Sequence, residues 1–352
     1  MSPSPSIMRC HASNASPSLR PWNAECRIRP SSRLTVWPRP PSSWSATSRT
    51  GARRAPASST RLSLTDSPSP LDSSPMSSTV ARLFDAMADT YDDLEPWYEH
   101  LYDVLHAILR ETIGQAPAGG GSALDAGCGT GFQAALLAEL GWRPYGVDVS
   151  PGLLAVARRR LPGAVLALGS VEALPYADAH FDAIVCCGST LSFVDDPARA
   201  LVELGRVLRP GGRLLLDCEH RPSLDLAWTL GSALAGDALG YGVTPREAWR
   251  ALNARDGLRL SYPGYGPLWL FSSRQLTRLL GAAGFRTVRG WGVHAVTSLI
   301  PSTLLHRPRV PRAVAAAYRA LCRLDAAVAS TAPARALANS LVILAERAHP
   351  SA

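Results

Sequence analysis

The 352-residue chain contains no lysine: all 36 of its basic residues are arginine. That absence excludes Schiff-base and other lysine-centred chemistry, and it reads as the coding bias of a GC-rich genome. Cysteine is sparse, seven residues with no CxxC pair and no His/Cys cluster at metal-ligand spacing. A structural zinc is therefore not expected, and scattered thiols suit a reducing, cytosolic compartment. No uninterrupted apolar run approaches the ~18 residues of a membrane-spanning helix, and no apolar segment near the start has the form of a secretory signal. The 46% hydrophobic content and mean hydropathy of +0.02 are those of a globular protein.

The net charge of +8 is unevenly placed. Residues 1–78 hold ten Arg against Glu25, Asp66 and Asp72, and the remainder is close to neutral. The excess therefore belongs to one end, and a nucleic-acid partner is not expected for the rest. Residues 1–78 also contain 21 Ser and 12 Pro. Proline removes backbone donors, serine competes for them, and no apolar periodicity runs through the stretch. We expect a disordered extension there, with Met76 as an alternative start and a folded domain over 79–352.

From Thr79 the pattern changes. Phe84, Met87, Tyr91 and Leu94 fall at helical spacing, and a second amphipathic pattern runs from Trp97 to Leu109. Short apolar strands (Ala123–Asp125, Pro144–Asp148, Val165–Leu168, Phe181–Cys187, Arg213–Cys218) then alternate with helices (Phe132–Leu140, Pro151–Arg160, Pro197–Leu208). A helix over Ser273–Ala283 and strands over Phe285–Val296 and Leu341–Glu346 complete the series. Strand–helix alternation predicts an α/β fold, a doubly wound, mostly parallel sheet covered on both faces.

The segment Ala123-Leu-Asp-Ala-Gly-Cys-Gly-Thr-Gly-Phe132 links a strand to a helix through three glycines. Glycines let backbone approach a ligand closely, and the helix beyond offers free N–H groups and a positive dipole end. The spacing is GxGxG, and Phe132 stands where a dinucleotide fingerprint has its third glycine. The second strand ends at Asp148, an acid placed to accept both hydroxyls of a ribose, as any nucleoside cofactor requires.

The chain here resembles the class I S-adenosylmethionine-dependent methyltransferases, in particular the branch of the ubiquinone/menaquinone C-methylases. The resemblance runs from about Phe84 to Arg221. It is carried by Phe84-Asp-x-x-Ala-x-x-Tyr91-Asp92, the glycine loop, Gly146-Val-Asp148, Gly169-Ser-Val-Glu-Ala-Leu-Pro-Tyr176, Phe181-Asp-Ala-Ile-Val185 and Leu208-Arg-Pro-Gly-Gly-Arg-Leu-Leu215. It implies a Rossmann-like seven-stranded sheet with helical insertions, S-adenosylmethionine as cofactor, and an antiparallel final strand over Leu341–Glu346. It further implies that Asp125 holds the methionyl ammonium and that Gly127, Gly129 and Gly131 form the loop against the methionine moiety. Asp148 would take the ribose, Ser170 and Val171 would edge the adenine, and Cys187 would border the cofactor. Tyr91 would close over the methionine end. Many relatives have Asp where this chain has Ser170, so the usual charged adenine contact is replaced by a hydroxyl.

Methyl transfer from a sulfonium needs a base only when the acceptor must lose a proton. His220, at the end of the fifth strand, is the first candidate, with His294 and Arg221 behind it. Segments 222–270 and 298–339 exceed a minimal domain and predict a cap on the substrate side. Their aromatics (Trp228, Tyr241, Tyr262, Tyr265, Trp269) point to a hydrophobic or aromatic small-molecule acceptor: a quinol, a lipid or a phenol. The Arg-bearing helical pattern around Tyr318 leaves room for a peripheral membrane contact. An amine acceptor is the alternative, and a nicotinamide-dependent oxidoreductase is disfavoured by the glycine spacing.

Overall fold

Seven strands form one sheet in the order β3-β2-β1-β4-β5-β9-β8 in the computed structural model, which describes residues 75–93, 96–262, 265–306 and 310–349. Two N-terminal helices, α1 (Pro75–Met87) and α2 (Pro96–Thr112), precede the sheet. The alternating part runs β1 (Ser122–Ala126), α3 (Phe132–Glu139), β2 (Arg143–Asp148), α4 (Pro151–Arg160), β3 (Val165–Leu168), β4 (Phe181–Cys186), α5 (Pro197–Val207) and β5 (Leu208–Glu219). An insertion follows, comprising α6 (Leu224–Leu234), α7 (Pro245–Asn253), β6 (Leu258–Tyr262) and β7 (Gly266–Leu270). The chain returns through α8 (Ser273–Ala282) and β8 (Phe285–Val293), then α9 (Ser302–Leu305), α10 (Arg312–Val328), α11 (Ala332–Leu337) and β9 (Ser340–Arg347).

The five strands β1 to β5 are parallel, and β9 pairs antiparallel with both β5 and β8. The expected doubly wound sheet with an antiparallel C-terminal strand is thus the observed one. Strand order reverses between β1 and β4, and ligands of such sheets bind in the crevice opened there beyond the carboxyl ends.

Local chemistry sets the helix ends. Ser150 caps α4 by accepting from Leu153 N, Pro151 occupies the first turn, and Arg158, Arg159 and Arg160 sit in the last turn, where cations oppose the helix dipole. Asp196 caps α5 by accepting from the amides of Ala198 and Arg199. Each strand sends alternate side chains to opposite faces. Leu124, Ile184, Leu214 and Leu216 meet Ala200, Leu204 and Leu276 on one face. Ala123, Ala183, Val185 and Leu215 meet Leu101, Leu105 and Leu137 on the other.

Three expectations change. The insertion is not purely helical: β6 and β7 form a separate antiparallel hairpin packed with α6 and α7 around Leu226, Ala248, Leu260 and Leu268. Strand β5 begins at Leu208, five residues before the predicted Arg213, because Leu208 already pairs with Phe181 across a register shift. Helix α1 starts at Pro75, inside the stretch expected to be an extension, and the remainder of that stretch lies outside the described residues. No helix among the described residues is long and apolar enough to cross a membrane.

Candidate functional site

A cleft of about 790 Å³, counted with the solvent-open space at its mouth, lies over the carboxyl ends of β1, β2 and β4. Its floor is the glycine loop. Gly127 has φ +79°, and a Cβ there would overlap the Thr190 side chain, 2.5 Å from Cγ2, so only glycine fits between β1 and the loop after β4. Gly129 (φ +51°) faces Tyr91, whose Cε1 lies 3.8 Å from the position a Cβ would take.

Asp148 ends β2 inside this cleft. Its Oδ2 accepts from Gly129 N at 2.8 Å and its Oδ1 from Ser150 N at 2.9 Å. Burial raises its pKa, and these amide donors oppose the rise. Two of the four lone-pair directions remain for a ligand. Ser170 and Val171 form the far wall, and Ser170 Oγ also accepts from Glu172 N at 3.1 Å. Cys187 and Gly188 form the wall at the end of β4. The Cys187 thiol is held protonated by burial and by neighbouring carboxylates, which gives it a packing role.

Tyr91 lines the cleft from the segment after α1, with its hydroxyl 3.5 Å from that of Tyr102 and its pKa pushed up to about 12 by burial. Phe84 packs edge-on against both Tyr91 and Phe193, making one aromatic side of the cleft. A polar latch holds this segment over the loop. Thr130 Oγ1 donates to Asp92 at 2.7 Å, Arg160 pairs with Asp92, and Arg160 also donates to the Thr130 carbonyl at 2.8 Å.

Five residues singled out from the sequence do not line the cleft. Asp125 is fully buried beneath the glycine loop, where Oδ2 accepts from Ala134 N at 2.9 Å. Its Oδ1 has no hydrogen-bond partner, and burial pushes its pKa up to about 8. Gly131 (φ +86°) precedes α3 and packs on Ala157 and Leu161 of α4 and its end. His220 is a correction. It is 2% exposed; Nδ1 donates to the Ala338 carbonyl at 3.1 Å and Nε2 takes the Ser273 hydroxyl at 2.9 Å. Both ring nitrogens are occupied, burial lowers its pKa, and it points away from the cleft into the α8 side of the sheet. His294 is likewise buried, stacked on Trp97 at 3.6 Å, and Arg221 donates to the Ala251 and Leu252 carbonyls.

Wall residues that the sequence did not single out include Tyr102 and Gln133, and Glu172, Thr190 and Phe193 also line the cleft. Gln133 is 4% exposed, borders the cleft, and its Nε2 has no hydrogen-bond partner. A buried donor left open is costly, about 1–3 kcal/mol, unless a ligand accepts from it. Its place in the first turn of α3 was the available signal. The Glu172 carboxylate accepts from the amides of Asp195 and Asp196 and ties the adenine-side wall to the start of α5.

Residues 124–216 match the family model described as "Methyltransferase domain". The chain is 35% identical over 144 residues to a demethylmenaquinone methyltransferase of Renibacterium salmoninarum, covering 38% of this chain and 58% of that one. It is 40% identical over 121 residues to a malonyl-[acyl-carrier protein] O-methyltransferase of Serratia marcescens, covering 32% and 46%. The chain thus spans about half the length of these curated relatives. Among solved structures, a chain from the complex of a Haloferax volcanii methyltransferase with its Trm112 activator shares the fold, with a TM-score of 0.50 at 16% identity over 78% of this chain and 99% of that chain. Residues 124–216 are thus a methyltransferase domain, and there the chain is similar to class I S-adenosylmethionine-dependent methyltransferases, as its motifs implied.

Proposed function

We propose that the protein transfers the methyl group of S-adenosylmethionine to a small hydrophobic or aromatic acceptor, a quinol, lipid or phenol. The observation that carries this reading is the preset pair of Gly129 and Asp148 at the sheet's switch point, inside an aromatic-sided cleft. Asp148 would take the ribose hydroxyls, and Ser170 and Val171 the adenine edge. Gly127, Gly129 and the open Nε2 of Gln133 would meet the methionine end, with its carboxylate as the partner Gln133 lacks. Asp125 would act from beneath the loop: a nearby ammonium favours its charged form, against the burial that now raises its pKa.

When bound, the cofactor supplies a methyl carbon already activated by its sulfonium. The chain has to orient the acceptor and exclude water, and those two effects carry most of the acceleration in such a displacement. Tyr91, Phe84 and Phe193 supply the apolar closure. The name of the Renibacterium relative supports a quinol-like acceptor, and five free cysteines among the described residues accord with a cytosolic location.

Calorimetry tests the reading: S-adenosylhomocysteine should bind the purified chain at a single site. Binding of a nicotinamide dinucleotide with none of S-adenosylhomocysteine would overturn it.

A further inference from the structure

The carboxyl end of β5 carries a second feature, distinct from the cofactor residues. Asp217 and Glu219 are two apart on one strand and share the face of Leu215, which looks toward α2 and the Cys187 wall. Asp217 is fully buried, whereas Glu219 is only half-buried. Ser189 Oγ lies 3.0 Å from Glu219 Oε1 and 3.3 Å from Asp217 Oδ2. Its single proton can serve only one of them at a time. Asn339 donates to Glu219 Oε2 at 2.9 Å.

Position connects this group to the cleft. Ser189 lies between Gly188 and Thr190, both of which line it. The amide of Glu219 donates to Ser192 Oγ at 2.9 Å, and the next residue, Phe193, lines the cleft while packing, like Tyr262 and Tyr265, on the Leu226, Leu260 and Leu268 cluster of the insertion. Glu219 therefore lies one hydrogen bond behind the Gly188–Thr190 wall of the cleft, on the side of Tyr262 from the hairpin. Its two bonds hold the carboxylate in place, and two further acceptor directions remain.

Resting on the reading above, we propose that Glu219 receives the hydroxyl of a phenolic acceptor and takes its proton during methyl transfer. The bond from sulfur to the methyl carbon breaks with its electron pair going to sulfur. The acceptor's oxygen, or a ring carbon conjugated to it, forms the new bond to carbon. The acceptor proton passes to Glu219 and from there to solvent. The surroundings suit this role. The Glu219 pKa is raised to about 7: burial is the main cause, Asp217 and Asp225 add to it, and the Ser189 and Asn339 donors oppose them. Tyr262 is the other titratable group facing it. A base near neutrality combines a populated charged form with enough basicity to draw a proton.

The test uses the full chain saturated with S-adenosylhomocysteine and 1-naphthol, a fluorescent phenol, as probe. The parent should bind 1-naphthol, and Glu219→Gln and Glu219→Ala should weaken that binding at least tenfold with unchanged affinity for S-adenosylhomocysteine. Glu219→Gln keeps the shape and an acceptor for Asn339, so an unchanged melting temperature would separate lost recognition from lost folding. With S-adenosylmethionine and 1-naphthol, transfer should rise through about pH 7, and Asp217→Asn should move that rise to lower pH. Glu219→Gln should reduce the rate by about 10²–10⁴-fold. No binding of 1-naphthol by the parent, equal binding by the variants, or methylation of tryptamine at a rate indifferent to Glu219→Gln would each overturn the proposal. Absence of S-adenosylhomocysteine binding by the parent would instead overturn the reading on which it rests.

Discussion

The amide of Gly129 donates to Oδ2 of Asp148 at 2.8 Å, so the glycine loop and the end of β2 form one rigid unit. With Ser150 N on the other oxygen, the carboxylate is oriented before any ligand arrives. Asp148→Ala removes that acceptor and leaves two buried amides open. Calorimetry should show S-adenosylhomocysteine affinity falling by about 1.5–3 kcal/mol, the value of a hydrogen bond to a charged group. Equal affinity would place the ribose elsewhere.

Gly127→Ala introduces both a left-handed conformation unsuited to alanine and an overlap with Thr190. Urea denaturation should register a loss of about 1–3 kcal/mol, as for other overpacked sites. Adding Thr190→Gly should recover the part due to overlap and none of the part due to backbone conformation. Full recovery would show that φ +79° is not a constraint here.

The latch of Asp92, Thr130 and Arg160 is half-exposed, so its contribution to global stability should be small, up to about 1 kcal/mol. Its effect belongs to closure of the cleft. Asp92→Ala should leave the melting temperature nearly unchanged while S-adenosylhomocysteine dissociates several-fold faster in stopped-flow measurements. An unaltered dissociation rate would mean that Tyr91 stays in place without the latch.

Burial raises the Asp217 carboxyl to about 6. A raised folded-state pKa contributes stability that is present in full below the unfolded value, about 4, and is lost as pH rises through 6. Asp217→Asn should therefore compare more favourably with the parent at pH 8 than at pH 5 in urea titrations. A pH-independent difference would indicate that Asp217 titrates normally.

His220→Ala should act through packing. Loss of the Ala338 and Ser273 bonds predicts destabilisation of about 1–3 kcal/mol. The pH dependence of methyl transfer should keep its shape, because neither ring nitrogen faces the acceptor. A lost acidic limb in this variant would restore His220 as the base.

Much of the fold was legible because its signals are local. The Ser150-Pro151 start and triple-arginine end of α4 announce their own boundaries, and the predicted Pro151–Arg160 is the observed helix. The glycine loop and Asp148 were legible for the same reason: each sits at the end of a short apolar strand, where the chain must turn. The hairpin of β6 and β7 was not, since its pairing depends on a partner strand and on the α6–α7 cluster beneath it.

The sequence by itself determined the alternation of strands and helices, the glycine loop and the acid at the end of β2. Only the tertiary structure decided to which side of the sheet each residue at the end of β5 turns. Leu214, Leu215 and Leu216 are all fully buried, because the central strands are covered on both sides. With no polar face, the two-residue period that would have shown the direction of each side chain is erased. His220 and Glu219 were therefore indistinguishable by position, and the packing of α8 against one face and α2 against the other turned His220 to Ser273 and Glu219 to Ser189, behind the Gly188–Thr190 wall.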